Sequence, residues 1–206
     1  MIDYFWTKPN NMEPKKVTIQ DMMEQNTANM IFYDDSFVKT AFFTKEIPNW
    51  EIPIFYFDFD LQYTGLVKAG KTPQTKNLTL IDPENGSLHD DLKSVIEQTS
   101  KKKSLIIIDS LNGFFNVLEG NKDLGRLINS FLMLLVSSAR HTKSTIIVGI
   151  LSKLNEENKW VLYNTGRHVI DNKRFTKIQL TRKENNILAR LLNSDNSSSS
   201  DLILQT

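Results

Sequence analysis

Short runs of apolar and aromatic residues recur along this 206-residue chain, separated by stretches whose apolar positions follow helical spacing. Met30 to Tyr33 and Pro53 to Phe57 predict strands, with a helical stretch around Val38 to Lys45 between them. A Gly- and Lys-rich loop is expected from Thr64 to Lys76, then a strand at Leu78 to Ile81. Leu88 to Ser100 carries helical spacing at Leu92, Val95 and Ile96. Leu105-Ile-Ile-Ile108 is apolar without interruption, the pattern of a strand covered on both faces, and so predicts the centre of a parallel sheet. A long helix over Leu124 to Arg140 leads into a strand at Thr145 to Leu151. Extended pieces follow at Trp160 to Tyr163, His168 to Ile170 and Phe175 to Leu180, and an Asn185-Asn186 turn precedes a last strand, Ile187 to Leu192.

The two ends read differently. Thr18-Ile-Gln-Asp21 predicts a capped helix start running to about Gln25, which makes residues 1–17 an arm before the core. Ser194 to Ser200 offers little apolar surface to bury, so residues 194–206 are expected to be a disordered polar tail. The domain is then 18–193, an α/β core with a mostly parallel central sheet and a C-terminal antiparallel hairpin. Ligands of such sheets sit at the C-terminal strand ends.

Composition removes several chemistries. Lys and Arg number 25 against 24 Asp and Glu, so no global field draws the molecule to nucleic acid or anionic lipid, and polyanion contact must come from a local patch. The absence of Cys and the presence of three His remove thiol catalysis and the usual zinc ligand sets. The start has no secretory pattern and the longest apolar stretch is too short to span a bilayer, which predicts an intracellular protein, cytoplasmic or nuclear, without a membrane partner.

The candidate chemistry lies at two strand ends. Leu105-Ile-Ile-Ile-Asp109-Ser110 is an apolar strand ending in an acid and a small hydroxyl residue, like the Walker B element of P-loop ATPases, where the acid orients Mg²⁺ beside phosphates. After the first strand comes Tyr33-Asp-Asp-Ser-Phe-Val38-Lys39-Thr40, which keeps the Lys-Thr of a phosphate-binding loop but has Tyr33 and Val38 where its two glycines belong. Glycines let backbone N–H groups curl around phosphate, and Asp34 and Asp35 add negative charge at a helix start that would otherwise attract an anion. Both changes oppose nucleotide binding.

With Phe55-Tyr-Phe-Asp58-Phe-Asp60 between these elements, the order of parts resembles the RecA/KaiC superfamily, including recombinase paralogues and the accessory ATPase-like subunits of Elongator. The resemblance spans roughly residues 18–192 and implies a three-layer RecA-like core. It implies that Asp60 stands where active relatives carry a water-activating Glu, as a vestige with no catalytic role. It places Lys39, Thr40 and Asp109 at the nucleotide if one binds. The strand that in relatives ends in a γ-phosphate-sensing amide here ends Gly149-Ile-Leu151-Ser152.

A degenerate, non-catalytic paralogue without a cofactor is expected, an assembly or regulatory subunit in recombination, repair or another nucleic-acid process. Its partner would be itself or a RecA-like relative. Arg167, Lys173, Arg174, Arg182 and Lys183 are the candidate nucleic-acid contacts, and Ile2, Tyr4, Phe5 and Trp6 give the arm an apolar docking segment. Two alternatives stay open: a weak ATPase using ATP and Mg²⁺ through Lys39, Thr40, Asp60 and Asp109, and a stand-alone nucleic-acid-binding module.

Overall fold

The computed structural model describes residues 18–83, 87–120, 122–157, 159–162, 175–184, 186–193 and 198–204. Strands β1 (Ala28–Tyr33), β2 (Ile54–Asp58), β3 (Leu78–Ile81), β4 (Leu105–Asp109), β5 (Thr145–Leu154), β6 (Trp160–Leu162), β7 (Thr176–Lys183), β8 (Asn186–Leu192) and β9 (Ser198–Leu204) form one sheet. Its order is β3-β2-β4-β5-β1-β7-β8-β9, with β6 paired to β5. The strands from β3 to β7 along this order are parallel, whereas β8 and β9 are antiparallel additions. β4 lies between β2 and β5, as its uninterrupted apolar character predicts.

Helices cover both faces, so β1, β2 and β4 are buried at every position. From β4, Ile106 and Ile108 face a core shared with α4 (Leu88–Thr99), α5 (Leu111–Val117) and α6 (Leu124–Thr142), whereas Leu105 and Ile107 face α1 (Ile19–Glu24), α2 (Ser36–Glu46) and α3 (Gln62–Lys68). The result is the expected three-layer α/β sandwich. α1 begins with the capping box read from Thr18 and Asp21, whose side chains satisfy each other's backbone N–H groups.

Three expectations need correction. The stretch from Thr64 is not all loop: α3 runs to Lys68, its early turn fixed by the Asp58 carboxylate, which accepts from the Thr64 N–H at 2.6 Å. The strand expected at Thr145 to Leu151 does not stop there either. β5 continues to Leu154 and turns back through Asn155, whose side chain accepts from the Glu157 and Lys159 N–H groups, into β6. Nor is the chain beyond Asn193 wholly without structure, since Ser198–Leu204 is β9 and pairs with β8 from Ile187↔Leu204 to Leu192↔Ser198. The open edge of β8 offers a row of backbone donors and acceptors, and Leu202-Ile-Leu204 supplies strand-forming residues to meet it. The N-terminal arm and the extended piece His168 to Ile170 lie outside the described residues.

Candidate functional site

The alternation of side chains along the strands selects which ones meet. Tyr33 ends β1, Tyr56 and Asp58 lie on β2, and Asp109 ends β4 in register with Asp58. Tyr33 and Tyr56 belong to the face covered by α2, and Asp109 shares the parity of Leu105 and Ile107 on that face. On α2, Lys39, Phe42, Phe43 and Glu46 form the buried stripe, so a lysine enters the core beside these strand ends.

Lys39 is fully buried, and its Nζ lies 2.7 Å from Asp109 Oδ1 and 3.2 Å from Asp60 Oδ2. The Tyr33 ring adds a cation–π contact, 5.3 Å from ammonium to centroid. The Tyr56 hydroxyl donates to the other Asp109 oxygen. Burial pushes the Asp109 carboxyl up to about 6, although the Lys39 ammonium and the Tyr56 hydroxyl pull the other way. Burial also raises Asp58, against the hydrogen bonds from Thr64. The cluster thus holds two carboxylates in one buried ammonium's reach, in a setting where an unpaired charge would cost several kcal/mol.

Only Asp34 and Asp35 separate β1 from α2. Asp35 is the N-cap: its carboxylate accepts from the Phe37 N–H at 2.8 Å, and its carbonyl accepts from the Lys39 N–H. Tyr33 and Val38, the positions lacking glycine, are buried core residues. Thr40 turns its hydroxyl to the Ser36 carbonyl and to Gln62 Oε1. Ser152, inside the last stretch of β5 before its turn, donates to the Tyr33 carbonyl at 3.0 Å, and Asn112 Oδ1 accepts from the Leu151 N–H, so this part of the strand is tied to its neighbours.

A cleft of about 540 Å³ opens over these strand ends, lined by Asp34, Asp35, Phe37, Asp60, Ser110 and Asn112 among others. Phe37 stands 81% exposed at its rim. A second hollow shares Asp60, Gly113 and Asn116 with it. The shared wall exists because Gly113 has no side chain: a Cβ there would lie 2.6 Å from the Phe59 Cβ and 2.7 Å from Asp60 Oδ1. Gly113→Ala is therefore expected to push α5 away from the β2–α3 connection and cost about 1–3 kcal/mol. Urea denaturation measures this, and an unchanged midpoint would mean that α5 shifts without strain.

The sequence-read residues Lys39, Thr40, Asp60 and Asp109 all reach this one place, and Asp109 and Asp60 share the lysine. The nucleic-acid candidates do not all join them. Arg182 and Lys183 are exposed at the C-terminal end of β7, with Arg182 Nε donating to the Glu184 carbonyl, while Arg167, Lys173 and Arg174 lie outside the described residues. Sequence reading missed Tyr56, Asp35 as a cap, and Gln62. A D-S-F at a strand-to-helix junction was the available signal for the cap. Among the described residues, no group of three or more His, Cys, Asp or Glu is arranged to hold a metal ion, and no helix is long and apolar enough to cross a membrane.

No family model matches the sequence, and no curated protein does. Solved structures do match in shape. The RadB recombinase superposes with a TM-score of 0.57 at 12% identity, covering 87% of this chain and 86% of the other. A DnaB-like replicative helicase, solved in a study of its interactions with primase, gives 0.55 at 13% identity and covers 88% of this chain, which spans 55% of that one. The chain has a RecA-like α/β fold.

Proposed function

We propose that this chain is a RecA-fold assembly or regulatory subunit whose nucleotide position is filled by its own side chains. One observation carries the reading: the buried Lys39 ammonium is already neutralised by Asp109 and Asp60. In a working site that ammonium faces the β- and γ-phosphates, and the acid at the strand end serves Mg²⁺. The rest of the site fits phosphate poorly. A two-residue connection replaces the glycine loop, Asp35 takes the Phe37 N–H that an anion would need, and Asp34 and Asp35 repel one. The likeness to a recombinase and a replicative helicase suggests a process involving nucleic acid, with a second copy or a RecA-fold relative as partner.

An assembly that does not use nucleotide should not respond to it. Light scattering is expected to give a mass above the 23.7 kDa of one chain, alone or with a co-purifying relative, and the same mass with and without Mg²⁺-ATP. A monomer under both conditions with no co-purifying chain would refute the assembly role.

A second reading has one observation in its favour, namely that Lys39, Thr40, Asp60 and Asp109 converge below one cleft. In a weak Mg²⁺-dependent ATPase, phosphates would displace the carboxylates from Lys39, and Asp109→Asn would abolish hydrolysis.

A further inference from the structure

At the opposite edge of the sheet, where the strands begin, the C-termini of α4 and α6 lie side by side. Ser138 and Thr142 of α6 donate to the Ile96 and Thr99 carbonyls of α4, and the Ser104 N–H donates to Ser144 Oγ. The chain leaving each helix is basic: Lys101, Lys102 and Lys103 after α4, and Arg140, His141 and Lys143 at the end of α6. All except Lys103 are exposed, and Lys103 is 41% exposed beside Glu24 at 3.3 Å. The starts of β4, β5 and β1 hold these pieces together, through Thr145 N–H to the Ser104 carbonyl and Ile146 N–H to the Thr27 carbonyl.

Complementing helix ends does not account for so much charge. Two helix C-termini carry about half a negative charge each, and Glu24 and Glu97 add two more, against five permanent cations. About two positive charges remain on this edge, in a chain whose total is +1. Arg140 also lines a small groove of about 140 Å³ with Gln25, Asn26 and Thr27, which sets amide and hydroxyl groups beside the cations.

We propose that this edge binds the phosphodiester backbone of duplex nucleic acid. Three adjacent strand starts span roughly 10 Å, and a duplex presents one charge per about 1.7 Å of axis, so several phosphates come within reach of one patch. Single strands are held by exposed aromatic platforms, and Phe37, the exposed large aromatic among the described residues, lies at the other edge. Contact is therefore with the backbone and insensitive to sequence. The inference is independent of the state of the cleft, so ATP binding there would leave it standing. It also places the contact away from Arg182 and Lys183 at the β7–β8 tip.

Fluorescence anisotropy of the full chain with short labelled DNA and RNA duplexes tests it. Four phosphate contacts, from Lys101, Lys102, Arg140 and Lys143, give a log–log salt slope of about −3.6, a loss of about 10²-fold between 50 and 200 mM salt. A variant with Lys101→Gln, Lys102→Gln, Arg140→Gln and Lys143→Gln is expected to bind at least tenfold more weakly, with a slope smaller by about one per residue. Should that variant melt early, Lys101→Gln with Lys102→Gln alone is expected to remove about two from the slope. Arg182→Gln with Lys183→Gln should leave duplex binding as in wild type. The proposal is overturned if neither duplex binds at low salt, if the β7–β8 tip variant loses binding and the patch variants keep it, or if a labelled single strand binds better than the duplex. It is likewise overturned if vesicles of phosphatidylcholine and phosphatidylserine capture the protein while duplexes do not.

Discussion

Lys39→Ala is expected to lower the folding free energy by about 3–5 kcal/mol at neutral pH, because it leaves the buried Asp109 carboxylate without its cation. For a domain of this size that is a fall of at least 6 °C in Tm. The loss has a pH signature. Asp109 titrates in the fold near 6, above its ordinary 3.8, so its proton is bound more tightly in the folded state and stability falls as pH climbs between those values. Removing the Lys39 ammonium takes away a contribution that holds the carboxyl down, which extends this window to higher pH. The deficit of the variant is thus expected to be small at pH 4 and to widen towards pH 8, in urea titrations across that range. An unchanged stability at every pH would show that Lys39 does not neutralise the buried Asp109 carboxylate. Lys39→Met with Asp109→Leu, which removes both charges, should recover much of the loss.

Truncation after Asn193 is expected to destabilise the domain by about 3 kcal/mol or more, from the net worth of the β8–β9 hydrogen bonds. It also turns β8, with buried Ile187, Leu188 and Leu192, into an open edge, so the shortened chain should scatter more light at high concentration. Urea midpoints and light scattering on the two lengths check this. Equal midpoints would return residues 198–204 to the dispensable tail that their serines suggest.

The core was the legible part. Leu105 to Ile108 reads as a strand covered on both faces, and helical spacing at Leu92, Val95, Phe131 and Leu135 names residues that pack on it. What escaped is what depends on partners distant in sequence. α3 carries Thr64 and Gly65 in a seven-residue helix, so it is held by the Asp58 carboxylate and by Tyr63 stacked on Tyr56, and not by propensity. α5 was hidden by Gly113, whose value lies in its approach to Phe59 and Asp60, although Ser110 as a cap for the Gly113 N–H was a readable signal. β9 was lost because the serines outweighed the short Leu202-Ile-Leu204 that follows. At the site, Lys39, Asp60 and Asp109 were found by their places along the chain, but their pairing joins residues 21 and 70 positions apart, which no local pattern carries.

Titration of the purified wild-type protein with Mg²⁺-ATP in a calorimeter tests the central claim, that its own carboxylates hold the lysine that phosphate would need. No saturable heat is expected up to about 1 mM, a binding free energy weaker than about 4 kcal/mol. A dissociation constant near 1 μM, about 8 kcal/mol, would show that phosphate displaces Asp60 and Asp109 from Lys39 and would contradict the account.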